Sequence, residues 1–158
     1  AVYAQDSWLP QIALGLQYKN ARKTAVLAAL GARRDNDLDF YASATKALLA
    51  QSLILTATAR LTRANQYGLL GFGAAGEGRS LEWEGSLAYM LRHNLVLGAD
   101  YRTKPSNLAF AQEGDAVALY FAYFRSKNLS VNVAAVDLGP IALQGRQQGF
   151  YLSVQAGF

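Results

Sequence analysis

Between its turn signals the chain alternates apolar and polar residues. In Leu53–Arg63, Leu53, Leu55, Ala57, Ala59 and Leu61 share one parity, and Ile54, Thr56, Thr58, Arg60 and Thr62 share the other. Further on, Leu81, Trp83, Leu87, Tyr89 and Leu91 oppose Glu82, Glu84 and Ser86. Leu95, Leu97, Ala99 and Tyr101 oppose Gly98, Asp100 and Arg102. A period of two places successive side chains on opposite faces of a strand, so these segments predict strands with one apolar and one polar face. Eight such segments are predicted: Pro10–Lys19, Asp39–Leu48, Leu53–Arg63, Leu81–Leu91, Leu95–Arg102, Ala116–Phe124, Leu129–Val136 and Gly149–Phe158. Only Lys23–Leu30, which ends at Gly31, has helical composition, and a short helix is expected there.

The connections alternate in length. Short turns join the second strand to the third (Leu49–Ser52), the fourth to the fifth (Arg92–Asn94) and the sixth to the seventh (Arg125–Asn128). Long ones fall at Asn20–Leu38, Ala64–Ser80, Thr103–Asp115 and Asp137–Gln148. Short turns on one side and long loops on the other, with an even strand count, are features of outer-membrane barrels. The expectation is therefore an all-β fold, an antiparallel transmembrane β-barrel. Its eight strands are either the whole barrel or part of a larger one, in a single domain over residues 1–158.

Composition agrees with this reading. The chain is 52% hydrophobic but only 16% charged, against about 25% charged in an ordinary soluble domain. Its 9 Tyr, 7 Phe and 2 Trp exclude a disordered chain. No run of about 20 apolar residues is present to span a bilayer as a helix. With no Cys there is neither a disulfide scaffold nor a zinc–thiolate site. The net charge of +4 comes from scattered basic residues without interleaved stacking aromatics, so nucleic acid is not an expected partner. Tyr18, Phe40, Trp83, Tyr89, Tyr101, Tyr123, Phe150 and Phe158 belong to the apolar parity, several near segment ends, as in the aromatic girdles of membrane proteins. Phe150, Leu152, Val154 and the terminal Phe158 resemble the C-terminal signal that barrel-assembly machinery reads.

Several stretches also resemble a known family. They are Trp8–Lys19, Ala29–Asp35, Arg63–Gly73, Tyr101–Pro105 and Val136–Gly139. Together they are similar to proteobacterial outer-membrane proteins of unknown function, the DUF3034 type. The resemblance covers essentially the whole chain and implies the C-terminal portion of such a protein. It implies a barrel in the outer membrane of a Gram-negative bacterium, and no catalytic residues.

Candidate sites follow from the strand faces. Lys19, Arg60, Glu82, Glu84, Asp100 and Arg102 fall on the polar parity and are expected to form an interior charge network, with Arg60 and Arg102 compensating the two glutamates. Loop contact candidates are Arg22, Lys23, Arg33 and Arg34, whose charges suit lipopolysaccharide phosphates, and Leu69, Leu70 and Phe72, which are too apolar to sit freely in water and are expected to fold into the barrel mouth, lie on lipid or meet a partner. Gly71–Gly76 formally spells G-x-G-x-x-G, but a strand rather than a helix follows it, so a dinucleotide site is rejected. His93, the only histidine, lies in a short turn without triad or metal partners. No catalytic constellation, metal or cofactor is expected. The expected function is that of an outer-membrane barrel acting structurally or binding a partner or another copy of itself through its loops. A porin-like channel for small solutes is the alternative if further strands enlarge it.

Overall fold

The computed structural model describes every residue except 1–7, 23–24, 30, 74–77, 109–112, 142–143 and 158, and omits the side chain of residue 26. The fold is one antiparallel sheet of eight strands in chain order. They are β1 (Gln11–Asn20), β2 (Asn36–Leu48), β3 (Leu53–Thr62), β4 (Ser80–Arg92), β5 (Leu95–Arg102), β6 (Ala116–Ser126), β7 (Leu129–Ile141) and β8 (Gln144–Ala156). A five-residue helix, α1 (Ala25–Ala29), lies within the stretch expected to be helical. Among the described residues β1 and β8 do not pair, so these eight strands do not close on themselves. Each end strand keeps one backbone edge without a partner strand.

One connection differs from expectation. Asp137–Gln148 is not a long loop, because β7 runs on to Ile141 and β8 begins at Gln144, with these two residues paired. The Asp-Leu-Gly-Pro stretch at its start is accommodated as a bulge. Gly139 takes φ 65, its amide donates to Asp137 Oδ1 at 2.9 Å, and the register shifts there and again after Pro140. A bulge is one of the few places where a strand tolerates proline, which has no N–H for the ladder.

Every pairing keeps like faces together. One cross-strand row runs Leu55, Leu87, Ala99, Leu119, Ala135, Phe150 from β3 to β8. Another runs Leu16, Phe40, Leu61, Leu81 from β1 to β4. This apolar face is uncovered: Leu14 is 79% exposed and Phe150 91%. Polar residues on this face include Lys46 toward the short turns and Asn20, Asn36, Asp137 and Gln148 toward the long loops. Tyr18, Phe40, Trp83 and Tyr101 lie toward the long loops, and Tyr89 and Tyr123 toward the short turns. Trp83 and Tyr89 share β4, and at about 3.4 Å per residue stand about 20 Å apart.

The opposite face is polar and locked by its own pairs. Ser43 and Thr58 hydroxyls meet at 2.8 Å, and Thr45 and Thr56 at 3.1 Å. Such directly opposed pairs hold a sheet in register. Gly15 faces Tyr41 and Gly98 faces Tyr120, each ring lying where a glycine side chain would be. A Cβ added at Gly98 would sit 2.1 Å from Tyr120 Cζ. Gly98→Ala is therefore expected to displace that ring and cost about 1–2 kcal/mol. Denaturant unfolding measures this, and adding Tyr120→Ala should remove most of the extra penalty.

Candidate functional site

Polar side chains concentrate at the long-loop end of the polar face. Asp39, fully buried, anchors them. Lys19 Nζ lies 2.8 Å from its Oδ2, Thr62 Oγ1 donates to its Oδ1 at 2.6 Å, and Arg60 approaches to 3.7 Å. Arg60 also pairs with Glu84 at 2.7 Å, donates to Gln17 Oε1 at 2.8 Å and lies over the Tyr41 ring. Beside this group, Asp37 takes Arg63 and Arg79 at 3.4 and 3.1 Å. These are the pairings that buried carboxylates need in order to stay ionised.

The six residues read from the sequence separate. Lys19, Arg60 and Glu84 belong to one network, through Asp39. Glu82 accepts a hydrogen bond from the Thr103 hydroxyl instead. Arg102 stands opposite Glu84 in the register but makes no ion pair with it. The expected compensation is thus supplied by Arg60 alone, which reaches Glu84 diagonally across the strands. Asp100 and Arg102 instead line a neighbouring cavity. Asp39 stands opposite Gln17 in the register, and its position at a predicted strand end hid it from the sequence reading.

Above the sheet, the 63–79 and 103–115 connections fold together. Asn65 is fully buried; its amide group donates to the Gly73 carbonyl at 3.2 Å and accepts from Asn107 at 3.2 Å. In the turn Asn65–Gly68, Gln66 and Tyr67 adopt left-handed φ of 45° and 58°. The Gln66 amide donates to Glu113 Oε2 at 2.9 Å, and Lys104 Nζ reaches Gln66 Oε1 at 3.3 Å and the Leu138 carbonyl. Burial pushes the Glu113 carboxyl upward, opposed by the Gln66 amide and Lys104. Burial lowers the Lys104 ammonium and raises the Tyr67 phenol. Sequence reasoning missed this cluster because its members lie in separate loops that carry no periodicity.

The loop candidates also divide. Phe72 is fully buried and cannot meet a partner. Its backbone bridges Arg34 in both directions at 3.0 and 3.1 Å, tying the first long connection to the second. Leu69 is exposed, Leu70 is half-buried, and Arg22, Arg33 and Arg34 are exposed. Lys23 lies outside the described residues, as does Phe158, while Phe150, Leu152 and Val154 are exposed on β8. His93 is exposed in the β4–β5 turn, at the far end from the network. Among the described residues no cluster of three His, Cys, Asp or Glu could hold a metal ion. Among the described residues no helix is long and apolar enough to cross a membrane, which says nothing of spanning by strands.

Tyr67 borders two cavities. One, of about 190 Å³, is lined by Asp100, Arg102, Ala118, Val136 and Leu138. The other, of about 510 Å³, is lined by Lys19, Arg22, Leu27 and Leu69. Across a flat sheet β1 and β7 would stand about 29 Å apart, at roughly 4.8 Å per strand. One ring can border side chains of both only because the sheet curls around it. The site is thus a polar trough capped by its own loops. It can order water and offer hydrogen bonds, with its strongest charges engaged with each other.

The family described as "Protein of unknown function (DUF3034)" matches residues 1–155. The chain belongs to that family. No curated protein and no solved structure matches it. For this DUF3034 member, then, activity has to be argued from the site itself.

Two outcomes follow. Asp39→Ala leaves Lys19 and Arg60 without their buried carboxylate and is expected to cost about 3 kcal/mol in denaturant unfolding, with Asp39→Asn intermediate. The second concerns pH. Because the folded pKa of Glu113 is raised, its contribution to stability is full below the unfolded value and declines as pH rises through the folded one. On this group's account the protein should therefore resist denaturant better at about pH 4 than at about pH 7. Glu113→Gln should abolish that difference.

Proposed function

We propose that the sheet is part of the wall of a porin-like β-barrel in a bacterial outer membrane. Its apolar face meets lipid and its polar face lines a water-filled passage for small solutes. The observation that carries this reading is the two-sidedness of the sheet across all eight strands. In water, an apolar face of this extent would far exceed the few hundred Å² that soluble monomers leave exposed. In lipid that face is stable, and the aromatics near its two ends take the interfacial positions that amphipathic rings prefer. On β4 the apolar face runs from Leu81 to Leu91, about 34 Å along the strand. Tilted by about 40°, that covers roughly 26 Å, close to the apolar band of about 25 Å in such barrels.

The open edges favour a channel over a filled barrel. A closed barrel of eight strands has an interior just wide enough for side chains, whereas larger barrels leave an aqueous lumen. Backbone groups on an unpaired edge cannot be left in hydrocarbon, so β1 and β8 require further strand partners there. A second reading, contact with a partner through the outer loops, draws on the exposure of Leu69, Arg33 and Arg34.

Reconstitution into planar bilayers tests the proposal. Discrete conductance steps and a heat-dependent shift in gel mobility, typical of barrels, are expected. A protein that stays monodisperse in water without detergent, or that inserts and never conducts, overturns it.

A further inference from the structure

We infer that the Asn65–Gly68 turn is the constriction of the passage, with Tyr67 setting the size of solute that can travel along the polar face. This rests on the channel reading and specifies what governs it. The turn is held in place by defined interactions. Gln66 and Tyr67 have left-handed backbones, which strain non-glycine residues. The buried Glu113 and Lys104, from a different connection, hold the Gln66 backbone and side chain against that strain. Beneath it, Asn65 is fully buried and hydrogen-bonded on both sides. Such anchoring fixes where the next side chain stands. The Tyr67 ring then separates the cavity on the β1 side from the cavity against β5, β6 and β7.

The smaller cavity indicates the class of solute. Its roughly 190 Å³ equals about six waters at 30 Å³ each. Arg102 and Asp100 offer a cation and a carboxylate, and among the described residues neither has an ion pair. Ala118 and Val136 supply an apolar wall. A small organic solute bearing polar or charged groups suits this opening, and a polymer does not.

The absence of Cys allows one thiol to be placed without background. Ala118→Cys puts it in the smaller cavity, on the polar face of β6. In liposomes holding the reconstituted protein, its reaction rate is measured with a small charged methanethiosulfonate and with a bulkier maleimide. With Tyr67→Ala the bulkier reagent should react at least tenfold faster, with the small reagent less affected. Tyr67→Phe should behave as wild type and Tyr67→Leu should fall between. The Tyr67 hydroxyl has no hydrogen-bond partner, so these substitutions break none, and the graded series keeps the test decisive should the alanine variant fold poorly. Equal rates across the series overturn the constriction, whatever the conductance. A size-dependent series in a protein that never conducts supports Tyr67 as the closure and overturns only the passage.

Discussion

Register parity is the constraint on which everything else in this chain depends. Side chains alternate across a strand, so a slip of one residue in any pairing would exchange its faces. Slipped, β3 would bring Arg60 to the apolar side and Leu61 among the charges. The observed pairings avoid this from β1 to β8, and the two register shifts in β7 are absorbed at Gly139 and Pro140. Hydroxyl pairs such as Ser43–Thr58 reinforce the phase from the polar side. Rows of leucine, alanine and aromatic residues carry the same phase on the other side.

With the faces separated, the polar side has a second problem to solve. Charges brought under loops lose water and must be paired. Asp39 receives a lysine, a threonine hydroxyl and the approach of an arginine, and that arginine is shared with Glu84. The loops are held by similar chemistry: Glu113 and Lys104 fix Gln66, and Phe72 fills the space between the first and second long connections. The sheet and its cap are thus joined by polar contacts, with Lys104 bonding both Gln66 in the cap and the Leu138 carbonyl in β7.

The departures from expectation share a cause. Asp137–Gln148 reads as a long connection, yet a bulge at Asp137–Gly139 lets the strand continue into it. Phe72 reads as a loop hydrophobe with the barrel mouth, lipid or a partner all open to it, and the bridge to Arg34 decides for burial. Arg102 reads as a partner for a glutamate on the next strand, yet Arg60 has already satisfied that glutamate. In each case local chemistry was read correctly, and the partner that decided its use came from elsewhere in the chain.

The sequence by itself determined the strands, their order of faces and the residues that share the polar side, because alternation is a local property with a period of two. It also determined that β5 runs from Leu95 to Arg102, where alternation begins and ends abruptly. Tertiary structure alone decided that the sheet stays open, that Asp39 is the hub of the charges, and that Tyr67 stands over the trough. Those outcomes depend on contacts between residues such as Gln66 and Glu113, 47 positions apart in loops without a repeat. Loop geometry follows from which hydrogen bonds can be satisfied at once, and no single stretch of sequence contains that information.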